Sequence, residues 1–315
     1  MNARTLGVAL GLLLVPPAFA AAAASSVQVV QSGTVHQALF AIAVDGNEGL
    51  AVGAAGEIQQ SADGGKTWKA AAAPGSEALL GVALRGGRAL AVGQQGTVLL
   101  RDAQGQWRKA DAGTEARLFG VSLNARGEAV AVGAFGTVLK SDDAGAHWRA
   151  IAPTWASYNE NGEEPHVYDV QIDDRGVITL AGEFGLILRS ANSGGDWQLL
   201  HKGDASLFSM ALRGDGVGYA VGQSGTVLKT TDGGASWQAL DAGTRAILLG
   251  VDSVPGGRVV ITAIREQLQS HDDGASWQHV DAPEVAAYWN QGVTHVAGGP
   301  ALVVGQAGRI VRIGE

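Results

Sequence analysis

Ala220-Val221-Gly222-Gln223-Ser224-Gly225-Thr226-Val227-Leu228-Lys229-Thr230-Thr231-Asp232-Gly233-Gly234-Ala235-Ser236-Trp237 decides the fold, because its parts recur in the same order along the chain. Two short apolar runs flank a Gly-x-x-Gly step, a Thr-x-Asp-x-Gly turn follows, and a Trp closes the unit. The step recurs at Gly53/Gly56, Gly93/Gly96, Gly133/Gly136, Gly182/Gly185, Gly222/Gly225 and Gly305/Gly308. Ala263 and Gln267 take its place in a degenerate copy, which brings the number of units to seven. Closing tryptophans stand at Trp68, Trp107, Trp148, Trp197, Trp237 and Trp277, at intervals of 39, 41, 49, 40 and 40 residues. That is the period of a four-stranded propeller blade.

Within a unit, four apolar runs of strand length are separated by Gly or Asp turn signals. We label them a to d, typified by Leu79 to Leu84, Ala89 to Val92, Thr97 to Arg101 and Gln106 to Ala110. Strands a and b are almost continuously apolar, as in sheets packed on both faces. The expected fold is therefore all-β, a seven-bladed β-propeller of four-stranded blades occupying residues 25–315 as one domain. The last unit stops at strand c, Arg309 to Ile313, whereas Val27 to Gln31 followed by Gly33-Thr34 aligns with a strand d. The N-terminal strand is predicted to complete the last blade and so remove two open edges.

Composition agrees with this reading. The 315 residues include 47 glycines and only 8 prolines, as expected for many tight turns. There is no cysteine, so disulfides and thiolate metal sites are excluded. A formal charge of −8 argues against nucleic acid and against strong affinity for a membrane surface, both of which reward excess Lys and Arg. Residues 1–24 read as a signal peptide: Arg4, an apolar run from Leu6 to Val15, then Ala18-Phe19-Ala20, with cleavage after Ala20 or up to Ala24. Pro16-Pro17 interrupts the run before it reaches spanning length. The expected location is periplasmic or secreted.

Between strands c and d lies Ser61-x-Asp63-x-Gly65-x-Thr67-Trp68, with counterparts built on Asp143 and Trp148, Asp232 and Trp237, and Asp272 and Trp277. This is the Asp-box or BNR motif. Its Asp accepts backbone N–H bonds, its Gly takes a positive φ, and its Trp packs. Repetition in most blades marks these aspartates as structural, because one active site needs an acid in one place. Over residues 27 to 315 the pattern resembles the BNR-repeat propellers related to the photosystem II assembly and stability factor. That resemblance implies an assembly chaperone for a membrane complex, with bacterial relatives that are exported. Sialidases also carry Asp-boxes, and they need a Tyr nucleophile paired with a carboxylate, an acid, and an arginine cluster. The tyrosines available are Tyr158, Tyr168, Tyr219 and Tyr288. The acids on the relevant loops are Glu160, Glu163, Glu164, Glu183 and Glu266.

Propeller topology places the d-to-a and b-to-c loops on one rim and the a-to-b and c-to-d loops on the other. The irregularities fall on the first rim. A long d-to-a loop carries Trp155 and Tyr158, with Phe135 and Phe184 on adjacent b-to-c turns. Tyr288 and Trp289 stand on a second d-to-a loop, beside Arg265. These residues read either as a protein or glycan contact surface or as plugs folded onto their own blades. Arg117 and Arg245 share the rim. The histidines show no paired metal spacing, and His166 with Glu163 and Glu164 is the one cluster of metal-binding type. No metal or other cofactor is expected. The reading is a non-enzymatic exported scaffold or assembly factor for an envelope or membrane complex. The alternative is a glycan-binding or glycoside-hydrolase protein.

Overall fold

A computed structural model describes residues 26–102, 104–158 and 162–314. The signal-peptide segment and Asn159, Glu160 and Asn161 of the long loop lie outside the described residues. Among the described residues 28 strands form seven four-stranded antiparallel sheets. Blade 2 is representative, with strands Leu79–Arg85, Arg88–Gly93, Val98–Arg101 and Trp107–Ala110 in order from channel to perimeter. In blade 7, Val27–Gln31 is the outer strand and pairs antiparallel with Ile310–Ile313, Val27 opposite Ile313 and Val29 opposite Val311. The ring is closed by its own N-terminus, as the truncated seventh repeat requires.

Each b strand serves two neighbours at once. In Ala129–Gly133, every residue of which is buried, Val130 and Val132 pack towards Val167 and Ile178 of blade 4. Ala131 packs with Val92 and Val98 of blade 2. Alternate side chains leave a strand on opposite faces, so a strand between two blades needs apolar residues at every position. The closing tryptophans seal the same seams: Trp68 joins the cluster containing Leu302 of blade 7, and Trp148 the cluster containing Leu90 of blade 2.

The inner strands face the channel with a free edge, and side chains of the preceding blade supply part of the missing hydrogen bonding. Ile172 N donates to Ser122 Oγ (3.1 Å), Leu212 N to Gln171 Oε1 (2.7 Å), and His295 N to Asp252 Oδ2 (2.6 Å).

The Gly-x-x-Gly steps are structural. A Cβ on Gly53, Gly93 or Gly222 would lie 1.9, 2.0 or 1.8 Å from the carbonyl oxygen of Ala38, Ala78 or Ser206. In blade 6 the pair equivalent to Gly305/Gly308 is Ala263 and Glu266 rather than Ala263 and Gln267. There Arg265 holds the left-handed turn position at φ 59° that Ala307 holds in blade 7 at φ 61°.

In the c-to-d turns the aspartates hydrogen-bond within their own turn. Asp63 Oδ1 accepts the amides of Lys66 and Thr67, both at 2.9 Å, and its Oδ2 accepts the Thr67 hydroxyl at 2.6 Å. Gly65 N donates to Ser61 Oγ at 2.9 Å. Asp143, Asp232 and Asp272 repeat the arrangement, with His147 Nδ1 taking the hydroxyl's place beside Asp143. These bonds hold Asp63 and Asp232 far below the usual carboxylate range, and Asp143 and Asp272 at about 2.

The two rims are those expected from topology. The b-to-c turns bond to the d-to-a loops, as in Ala54 N to Ala38 O and Glu183 N to His166 O. On the other rim the c-to-d turns bond to the a-to-b turns, as in Gly64 N to Asn47 O and Gly233 N to Gly216 O.

Candidate functional site

Every inner strand carries a β-bulge at its second residue. In blade 1 the register passes from Leu39 opposite Gly53 to Ala41 opposite Val52, and the same skip occurs in the other six blades. A bulge bends its strand and re-aims the unpaired side chain. The residues so released are Phe40, Leu80, Phe119, Tyr168, Phe208, Leu249 and Gln291. One from each blade, they line a cavity of about 440 Å³ at the channel mouth. All are half-buried and six are large and apolar. The channel mouth, on the rim of the d-to-a and b-to-c loops, is therefore a funnel with an apolar wall.

Aromatic rings converge on one side of it. Exposed Phe135 meets His166 edge-on at 5.1 Å between centroids, and His166 meets Phe119 at 5.8 Å. Phe119 leads to Tyr168 (5.4 Å) and Tyr168 to Phe208 (4.9 Å). The result is a continuous aromatic track from the rim into the funnel. His166 is fixed by Phe135 N, which donates to Nδ1 at 3.1 Å, while His166 N donates to Glu183 Oε2 at 2.7 Å. Glu183 Oε1 accepts the Tyr168 hydroxyl at 3.2 Å. Burial and the nearby Glu183 charge push that hydroxyl up to about 12, so it stays a phenol.

One residue farther along the same strand stands Asp169. Where Asp169 stands, the other blades carry Ala41, Gly81, Gly120, Ser209, Gly250 and Gly292. The residue is half-buried and its carboxyl is enclosed, and burial pushes it up to about 6. Hydrogen bonds from Met210 N and Val170 N, both 2.7 Å, and from the Ser209 hydroxyl act against that rise.

The residues singled out from the sequence separate into two groups. Trp155 does not project from the rim: it is 6% exposed, donates from Nε1 to Gly136 O at 3.1 Å, and packs with Val167 and Leu180. Tyr158 and Phe184 pack against the same cluster, and the Tyr158 hydroxyl donates to Trp197 O at 2.8 Å. The long insertion thus folds its aromatics onto the seam between blades 3 and 4, because a Trp whose N–H finds a carbonyl gains more from burial than from solvent. Of this group only Phe135 is exposed, at 69%.

In the second group, Arg265 is exposed and bonds through its amide to Tyr288 O (3.1 Å). Tyr288 lies under the Arg309 guanidinium, 3.9 Å from the ring centroid. Trp289 is half-buried and stacks on Phe40, with centroids 6.0 Å apart and planes 10° apart. The one-turn helix Pro283–Ala286 anchors this loop through fully buried Val285. The funnel joins the two groups: Phe135 reaches it through His166, and Trp289 through Phe40. Phe40, Phe119, Phe208 and Asp169 were not singled out from the sequence. The signal for the three phenylalanines was the recurring Leu-Phe pair that opens strand a, and for Asp169 it was a carboxylate where the other repeats carry Ala, Gly or Ser.

A larger cavity of about 820 Å³ opens on the opposite rim between blades 4 and 5. Its cations are already engaged. Arg213 pairs with Asp215 (2.9 Å) and Asp273 (2.7 Å), Arg175 pairs with Asp173 (2.9 Å), and Arg189 donates to Gly233 O. Among the described residues no group of three or more His, Asp or Glu side chains is placed to hold a metal ion.

No family model matches the chain, and no curated protein sequence does. Among solved structures, YCF48 bound to D1 peptide superposes with a TM-score of 0.71 at 16% identity, over 96% of this chain and 100% of that one. YCF48 from Cyanidioschyzon merolae gives 0.74 at 16% identity, over 91% and 98%. The GH74 xyloglucanase from Xanthomonas campestris gives 0.66 at 17% identity, over 90% of this chain and 53% of that one. What this chain shares with all three is the β-propeller fold.

Proposed function

We propose that the chain is an exported protein-interaction scaffold of the cell envelope. It assists assembly or operation of a membrane complex by engaging a partner with the rim around the funnel. The observation that carries this reading is the placement of exposed apolar side chains. Of the five large ones among the described residues, Val35 (82% exposed), Phe135 (69%), Ile247 (43%) and Ile264 (47%) stand on d-to-a or b-to-c loops, and the fifth, Leu199, lies on the outer strand Gln198–His201. Apolar side chains grouped on one end of a molecule, beside half-buried aromatics, are the usual makings of a protein contact. The opposite rim is instead laced by ion pairs such as Arg85 to Asp174 (3.0 Å). The likeness to YCF48, one structure of which holds a D1 peptide, supports the reading.

Crosslinking and recovery from the native envelope test it, comparing the wild type with a Phe135→Gly/Ile247→Ser/Ile264→Ser variant of verified fold. Recovery of a membrane-complex subunit by the wild type alone is expected. Equal recovery by both would move the contact to another surface.

A second reading, a glycan-processing site, is favoured by the Tyr168–Glu183 hydrogen bond, a Tyr–carboxylate pair beside the cavity. Two features weigh against it: the phenol is driven away from ionisation, and among the described residues Arg117 is the one cation lining the funnel where a carboxylate-gripping cluster would be needed. Release of fluorophore from a panel of aryl glycosides by the wild type, lost in Tyr168→Phe, would establish this reading.

A further inference from the structure

We propose that the funnel binds a small organic cation, an ammonium group on an apolar body, held against the wall formed by Phe119, Tyr168 and Phe208 beside the carboxylate of Asp169. This site stands independently of the scaffold reading.

Asp169 puts a charge where a neutral acceptor serves: Ser209, at the same position in blade 5, accepts Val251 N as Asp169 accepts Met210 N. The seams between inner strands ask for a small residue at the third position: a Cβ on Gly81 or Gly120 would lie 2.9 or 3.0 Å from the next blade's carbonyl oxygen, that of Phe119 or Tyr168. Six blades close with Ala, Gly or Ser there, and blade 4 alone places a carboxylate. Among the described residues no cation pairs with Asp169, and its hydrogen bonds come from two backbone amides and one hydroxyl. An enclosed carboxylate without a counter-charge is a costly arrangement, which an ammonium ion relieves. Burial raises its pKa to about 6, which leaves the group ionised at neutral pH.

The surroundings select the same chemistry. Aromatic faces attract cations, and three successive blades present rings here, with centroids 5.4 and 4.9 Å apart. A volume of about 440 Å³ lies within the range of small-molecule sites. Arg117, the other charged residue lining the funnel, is exposed at its lip, where water screens it. The chain's charge of −8 favours the approach of a cation.

The test is calorimetric titration of the mature chain with three matched probes: benzylammonium, benzyl alcohol and benzoate. At about pH 7.5, benzylammonium is expected to bind roughly tenfold or more tighter than the alcohol, with benzoate weakest. Asp169→Asn keeps an acceptor for Met210 N and should remove most of the ammonium advantage without loss of fold. The wild type at about pH 5, below the Asp169 pKa, should lose it too, with no substitution needed. His166 and Glu183 are the other titratable side chains on this wall besides the Tyr168 phenol, and Asp169→Asn retains all three. Equal affinity for the amine and the alcohol would overturn the proposal. So would an ammonium advantage that persists in Asp169→Asn, or a pH dependence unchanged by that substitution.

Discussion

Seven non-glycine residues, one in each b-to-c turn, adopt the left-handed backbone conformation: Ala55, Gln95, Phe135, Phe184, Ser224, Arg265 and Ala307, with φ between 53° and 61°. Recurrence in every blade shows that the turn imposes the conformation whatever the residue. Gln95→Gly should therefore raise stability by about 0.5–1 kcal/mol in urea denaturation, the strain relief exceeding the added freedom of the unfolded chain. Two kinds of carboxylate respond oppositely to pH. Asp143 is held at about 2, so its contribution is present above the ordinary Asp range and lost as pH falls through the folded value. Asp143→Ala should destabilise the protein at neutral pH and converge with the wild type near pH 2, as read by thermal melts across pH. Asp169 is raised to about 6, so its ionisation opposes folding above that value and ceases to matter below about 4. The stability of Asp169→Asn relative to the wild type should rise between those limits by on the order of 2 kcal/mol.

Among elements, the N-terminal strand has the most to lose. Deleting Val27–Gln31 would leave Ile310–Ile313 as an open apolar edge and uncover Val303 and Val311, with which Val27 and Val29 pack. A drop in melting temperature and the appearance of oligomers on size exclusion are expected; an unchanged melt would mean that blade 7 stands on three strands. This closure was legible in the sequence because the repeat stops one strand short at one end and begins with that strand at the other. The fate of the long loop between blades 3 and 4 was not. Composition marks Trp155 as an aromatic on an insertion, but its burial depends on the Gly136 carbonyl, a partner nineteen residues away on another turn. The bulged ring was hidden for a related reason: Phe40 and Phe119 read as ordinary members of an apolar strand, and only the skipped register shows that they leave the sheet.

For the whole molecule, period and turn chemistry made the seven-bladed ring legible, together with the division into two rims. The character of those rims arises only in three dimensions, as one becomes apolar around an aromatic funnel and the other is laced with ion pairs. Increasing salt should therefore weaken the wild type's stability slightly through the exposed pairs on the charged rim, while leaving partner capture by the apolar rim intact or strengthened. Recovery that collapses in moderate salt would instead point to a charged contact. The clasp in blade 7 also has a consequence in time. Its two partners, Val27–Gln31 and Ile310–Ile313, lie far apart along the chain, so the ring stays unlatched until both are folded and in place. A slow final folding step is the natural result of so distant a pairing.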